Sequence, residues 1–358
     1  KFCRLIGTEP YICTNVGSGY PEEARQWVEY CNVSQDTTLT RERTLNGSRD
    51  PFGVKYWGIG NENWACGGRM TPEHYADLYK QYGTYMRNTD IDTFLIACGS
   101  HYELPDWDER FMQCFKGAED IVDAIALHNY TGMGVSAMNY SDETYYRIMT
   151  SIDIMDRHIQ RAADVVNKYS NDNHPIKVIL DEWGMWYAEA ITDNGLRQVS
   201  TMLDAIFAAL SFHMFHRRGN VLVMANMAQT VNVLQSLIQT REETMCVTPT
   251  YWIYDMFKPH KGGKLIETRV KGESLTLEDG KTIPLTSVSG TIKDRNLTIS
   301  IVNVDLENAS PVTIHIRDIQ VASVRSAKSF SSNEVRDFNL PDMPDVINEP
   351  YNLEIEAE

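Results

Sequence analysis

Between residue 11 and about residue 260, short and nearly continuous apolar runs alternate with stretches in which apolar positions recur every three or four residues. The runs fall at 11–16, 55–61, 93–99, 122–130, 177–183 and 221–228. Apolar character on successive residues is what a strand buried on both faces requires. The periodic stretches at 21–32, 71–87, 106–115, 142–170, 196–218 and 248–260 predict helices. Two carry clear start signals: Pro21 followed by Glu22 and Glu23, and Thr71-Pro72-Glu73, a capping residue with proline at the first helical position. This alternation predicts βα units on a parallel sheet. After His260 the texture changes to short alternating segments at 264–270, 274–277, 297–303 and 311–317, punctuated by Gly and Asp. They predict an all-β sandwich. Lys261-Gly262-Gly263 marks the break, which gives domains 1–262 and 263–358.

Two architectures use consecutive βα units. A doubly wound sheet would show a Gly-rich phosphate loop at its first turn, and there is none here. A (β/α)8 TIM barrel occupies roughly 250 residues, and six units with a final helix fill that length in this chain. The expectation is therefore an α/β chain: a TIM barrel whose first two strands are missing, followed by the β-sandwich. Residues 1–7 read as the tail of a helix already under way.

A chain of 358 residues with 42% hydrophobic and 23% charged residues is globular in composition and long enough for two domains. Its formal net charge of −16 repels phosphate backbones and anionic lipid, which argues against nucleic acid or a membrane surface as partner and suits a neutral substrate. No apolar run is long enough to span a bilayer as a helix. The seven cysteines show no zinc-ligand or disulfide-scaffold spacing and read mostly as small buried apolar residues, so neither a zinc site nor a dense disulfide scaffold is expected. Sequons at Asn32, Asn46, Asn129, Asn139, Asn296 and Asn308 suit a secreted chain, and cytoplasmic and secreted locations both stay open.

The chemistry sits at strand ends. Gly58-Ile59-Gly60-Asn61-Glu62-Asn63-Trp64 puts a carboxylate where an apolar strand gives way to the loop Cys66-Gly67-Gly68, and Val178-Ile179-Leu180-Asp181-Glu182-Trp183 repeats the arrangement. In a barrel, the C-terminal ends of the strands form the catalytic face. Burying an ionised carboxylate is costly, so two such strand ends suggest that the charge has a use. Cleavage of a glycosidic bond needs two carboxyl groups, one to protonate the leaving oxygen and one to attack carbon or activate water.

In the stretches 56–68, 126–130, 178–187 and 225–233 the chain resembles glycoside hydrolase family 51, the α-L-arabinofuranosidases. The resemblance implies that Glu62, on barrel strand four, is the general acid/base and Glu182, on strand seven, the nucleophile. It also implies a retaining mechanism, with the two carboxyls about 5–5.5 Å apart. By the same resemblance Asn61 holds the sugar 2-OH, and His128 and Tyr130 position the catalytic carboxylates, Tyr130 by donating to Glu182. Gln229 contacts the furanose hydroxyls; Trp186, by its position, either walls the sugar pocket or packs the loop. Glu62 is expected to have a raised pKa, since it must hold a proton near neutral pH.

Two departures stand out: Ala65 replaces the usual loop glycine, and the two strands that bring a glutamate and an asparagine to the sugar are absent. Either the sequence is part of a longer polypeptide or a second chain supplies those strands. The resemblance implies an exo-acting enzyme, with no metal and no organic cofactor, on arabinose-containing oligosaccharides or polysaccharides, such as arabinan and arabinoxylan, working as a homo-oligomer. An endo-glucanase or β-xylosidase uses the same machinery with different loops. A non-catalytic carbohydrate-binding protein is the alternative of another class.

Overall fold

A computed structural model describes residues 2–89, 91–318 and 320–355. Six strands, β1 (Tyr11–Thr14), β2 (Tyr56–Ile59), β3 (Phe94–His101), β4 (Ala124–Thr131), β5 (Lys177–Met185) and β6 (Leu222–Met227), lie side by side in sequence order. β1 to β4 pair in parallel, with Tyr11 opposite Tyr56, Tyr56 opposite Phe94 and Ile96 opposite Ala124. A doubly wound sheet must reverse its strand order at a switch point. The unreversed order here is that of successive βα units in a barrel.

The helices among the described residues are α1 (Phe2–Ile6), α2 (Pro21–Asn32), α3 (Thr38–Leu45), α4 (Pro72–Arg87), α5 (Trp107–Gln113), α6 (Asp142–Thr150), α7 (Ile152–Tyr169), α8 (Met202–Arg217) and α9 (Pro249–Phe257). None is long and apolar enough to cross a membrane. The helix expected over 142–170 is broken at Ser151, whose hydroxyl turns back to the Ile148 carbonyl at 2.5 Å and competes with continued helical bonding. α8 begins at Met202 rather than at 196 because Thr201 and Asp204 form a capping box, the Asp204 carboxylate accepting from the Thr201 backbone N–H at 2.8 Å.

Two compact units divide the chain: Lys1–His128 with Arg157–Asp181 and Val221–Met224, and Asn129–Asp156 with Glu182–Asn220 and Ala225–Glu358. The chain therefore passes from one unit to the other inside β4, β5 and β6. In the first unit, Tyr75, Tyr79 and Tyr82 of α4 are fully buried, and Tyr75 stacks on Trp107 and Phe111. The Tyr75 hydroxyl donates to the Ile59 carbonyl at 2.5 Å and accepts from the Cys98 N–H at 2.7 Å, so one buried side chain ties the end of β2 to β3. Ile96, Ala124, Ala126 and Ile179 form an apolar cluster under these strands.

The second unit contains the β-rich C-terminal region. Its strands are β7 (Ile238–Arg241), β8 (Thr244–Val247), β9 (Lys264–Ile266), β10 (Ser274–Thr276), β11 (Thr282–Pro284), β12 (Thr286–Lys293), β13 (Asn296–Asn303), β14 (Lys328–Ser329) and β15 (Tyr351–Asn352). β12 and β13 form a hairpin whose turn residues Asp294 and Arg295 both have positive φ, as a two-residue turn between twisted strands requires. Residues 311–317, expected as a strand, join no ladder among the described residues, and Val312, Ile314 and Ile316 are exposed. Alternation supplies a strand's two faces, but a strand exists only where its backbone finds a partner. α8 packs on this region through His213, which hydrogen-bonds Ser287 on β12 at 2.8 Å and Ser300 on β13 at 2.9 Å.

Candidate active site

In the first unit, β2 runs out at Ile59 into a tight loop. A side chain on Gly60 would come within 2.2 Å of the Asn63 amide oxygen, and one on Gly67 within 1.9 Å of the Asn61 carbonyl. Only glycine lets the backbone approach itself this closely. The loop is closed by the Ala65 and Gly67 N–H groups donating to the Glu62 carbonyl at 2.8 and 2.9 Å. Glu62 is held at φ +44°, a left-handed conformation that a non-glycine residue adopts only under constraint.

The Glu62 carboxylate is held at both oxygens. Oε1 lies 2.9 Å from His128 Nδ1, and the Cys66 thiol donates to Oε2 at 3.2 Å. His128 is buried on β4, and its Nε2 lies 3.1 Å from Asp181 Oδ1 at the end of β5. Tyr11 of β1 donates to Asp181 Oδ2 at 3.2 Å. Trp64 packs edge-on against His128 and tilts against His101, with its indole N–H on the Gly99 carbonyl at 2.9 Å. Asn61 is exposed and lines a pocket of about 470 Å³ with Asn15, Ser18, Cys66 and Gly67.

Hydrogen bonding from His128 holds the Glu62 carboxyl below the ordinary glutamate range; partial burial opposes this, and the Cys66 thiol adds to it. This direction is opposite to the raised value expected for a general acid. Both partners bond to the charged carboxylate, and a donor to the ionised form favours that form.

In the second unit, the Tyr130 hydroxyl donates to Glu182 Oε2 at 2.7 Å. Trp186 meets the Tyr130 ring edge-on at 5.1 Å, and its indole N–H is satisfied by the Ala190 carbonyl at 3.0 Å. Tyr130, Trp186, Leu196 and Val233 pack on Ala190, Ala228 and Leu234. Gln229 follows a cis peptide bond after Ala228, is exposed, and anchors its backbone N–H on the Val233 carbonyl at 3.1 Å.

Within the first unit the structure thus joins Glu62 and His128, and within the second Tyr130, Glu182 and Trp186, while Asn61 and Gln229 stand at the ends of their own strands. Sequence reasoning passed over Asp181 and Cys66. The signal for Asp181 was its place beside Glu182 at a strand end; for Cys66, its place in the loop four residues after Glu62. Cys31, Cys98 and Cys246 are buried, as expected of cysteines serving as apolar filler, but Cys13 and Cys66 are exposed.

Comparison with known proteins points one way. The pattern of the α-L-arabinofuranosidase C-terminal domain matches residues 181–357, and that of the α-L-arabinofuranosidase 1 domain matches residues 2–147. The chain is 35% identical over 357 residues to an intracellular exo-α-L-arabinofuranosidase of Bacteroides ovatus, covering 97% of this chain and 68% of that one. It is 31% identical to a probable α-L-arabinofuranosidase C of Aspergillus niger, over 86% of this chain and 64% of that one. Among solved structures, the GH51 arabinofuranosidase of Xanthomonas axonopodis pv. citri superposes with a TM-score of 0.89 at 28% identity, covering 99% of this chain and 72% of that one. The α-L-arabinofuranosidase of Thermotoga maritima, in complex with arabinose, gives 0.83 at 28% identity, over 99% and 73%. The chain spans about two thirds of the length of these curated relatives. The shared fold is a (β/α)8 barrel with a C-terminal β domain, and β1 to β6 are consecutive barrel strands.

Proposed function

Because this chain belongs to the family 51 α-L-arabinofuranosidases, and so to the glycoside hydrolases acting on arabinofuranosyl residues, we propose that it removes terminal arabinofuranosyl units from arabinan and arabinoxylan oligosaccharides with retention of configuration. Glu62 is the acid/base and Glu182 the nucleophile. The observation that carries this is that each carboxylate has a dedicated partner within its own unit: His128 binds Glu62 in the first, and Tyr130 binds Glu182 in the second.

In the first step Glu62 gives its proton to the glycosidic oxygen while Glu182 attacks the anomeric carbon. The alcohol leaves, and an arabinosyl ester forms on Glu182. In the second, Glu62 takes a proton from water, which attacks the same carbon and frees arabinose and the Glu182 carboxylate. Tyr130, donating to Oε2, orients the Glu182 carboxylate for attack. Asn61 and Gln229 address the sugar hydroxyls, and Trp186 supports Tyr130 and offers an apolar wall to the sugar. Asp181 orients His128, and through it Glu62.

The lowered Glu62 carboxyl places the basic limb of kcat/KM, which reports the acid of the free enzyme, at lower pH than an ordinary glutamate would give. The test is hydrolysis of p-nitrophenyl α-L-arabinofuranoside by wild type, Glu62→Ala and Glu182→Ala. Loss of turnover by orders of magnitude in Glu182→Ala, with sugar binding kept, supports the assignment; undiminished turnover overturns it. No turnover in wild type would favour the carbohydrate-binding alternative, and preference for the glucoside or xyloside a related glycosidase.

A further inference from the structure

Cys66 sits in an unusual place for a thiol. Four residues after Glu62, it is brought back over that residue's side chain by the turn that the Ala65 and Gly67 N–H groups close on the Glu62 carbonyl. The turn depends on glycine at 67, where any side chain would strike the Asn61 carbonyl. The thiol therefore reaches Oε2 of Glu62, at 3.2 Å, while Oε1 lies 2.9 Å from His128 Nδ1. His128 is itself fixed from behind by Asp181. Of the two carboxyl oxygens, Oε2 is the one with the weaker partner, since S–H is a weak donor.

We propose that Cys66 is a positioning residue for the acid/base: its thiol holds Oε2 of Glu62 in the resting enzyme and yields it to the glycosidic oxygen when substrate arrives. This rests on the reading of Glu62 as acid/base. When Glu62 is protonated on Oε2, the thiol turns its hydrogen away and the Oε2 proton passes to the leaving oxygen; the C–O bond breaks, and the carboxylate regains the S–H bond. A weak donor suits this cycle, being strong enough to orient the carboxyl and weak enough to be displaced. The titratable groups around Glu62 in its unit are Cys66 in the loop, His128 on β4 and His101 on β3, with Asp181 beyond His128. Of these, His128 first and Cys66 next hydrogen-bond the ionised carboxyl and lower it.

The test is the pH dependence of kcat/KM for Cys66→Ala, Cys66→Ser and Glu62→Gln beside wild type. Each is measured on an alkyl arabinofuranoside, which needs acid assistance, and on the p-nitrophenyl arabinofuranoside, which needs little. Loss of the donor in Cys66→Ala should move the basic limb on the alkyl substrate up by about half a pH unit, the size expected of one weak hydrogen bond. Cys66→Ser should restore the limb to the wild-type position or below, and the aryl substrate should respond to neither change. Coincident limbs for wild type and Cys66→Ala, or equal losses on both substrates, would overturn the proposal. Glu62→Gln separates the two readings: a loss confined to the alkyl substrate keeps the acid assignment whatever Cys66 does, and an equal loss on both removes that assignment itself.

Discussion

At the scale of single residues, the site is a set of carboxylates with assigned partners. Removing the Tyr130 hydroxyl as Tyr130→Phe deletes the 2.7 Å bond to Glu182 and leaves the ring contact with Trp186. A hydrogen bond to a charged group of this kind corresponds to a loss in kcat of about 10- to 100-fold, with thermal stability near wild type; steady-state kinetics beside a melting curve checks both. His128→Phe removes the main cause of the lowered Glu62 carboxyl. The carboxyl then titrates higher, so the basic limb of kcat/KM should move to higher pH while its maximum falls. An unmoved limb would show that Glu62 does not govern it.

At the scale of elements, the loop after β2 and the seam between α8 and the hairpin β12–β13 each make a distinct claim. A methyl group at position 67 has no room, so Gly67→Ala must displace the loop that sets Glu62. Misplacement of a catalytic group by about 1 Å costs about 100-fold in rate, and circular dichroism should show the fold intact. Along the seam, His213, His216 and His260 bond to Ser287, Ser300, Ser289 and Thr291. Burial is the largest cause pushing all three imidazoles down, His213 to about 3 and His260 to about 4. A group lowered on folding takes its proton first in the unfolded chain. These histidines therefore cost nothing above an unfolded pKa of about 6.5, and their stabilisation is lost as pH falls from there towards about 3 for His213. Tm measured from pH 8 to pH 4 should drop over the lower half of that range, and His213→Gln should flatten the drop.

At the scale of the molecule, a net charge of −16 acts on a neutral sugar only weakly. Raising ionic strength from about 0.01 to 0.5 M should change kcat/KM for the p-nitrophenyl arabinofuranoside by less than about twofold, since screening has no substrate charge to act on. A strong salt dependence would point to a charged substrate. Much of the architecture was legible in the chain because its causes are local. Continuous apolar runs mark strands covered on both faces, and the positions of β1 to β6 follow from them to within a few residues. Helix ends were less legible: the Ser151 break and the Thr201–Asp204 box depend on which polar side chain captures a backbone group.

The sequence by itself determined that two acidic strand ends exist, one at Asn61-Glu62 and one at Asp181-Glu182, because burial pattern and loop glycines are properties of neighbouring residues. Only the tertiary structure decided what holds them. His128 reaches Glu62 across 66 positions and Tyr11 reaches Asp181 across 170, and no local rule encodes a meeting over that separation. The direction of the Glu62 shift was decided in the same way: chemistry alone asks a general acid for a raised carboxyl, and the donors His128 and Cys66 lower it. The segment 311–317 makes the converse point, since its alternation was plain in the chain and pairing, which depends on other segments, did not follow.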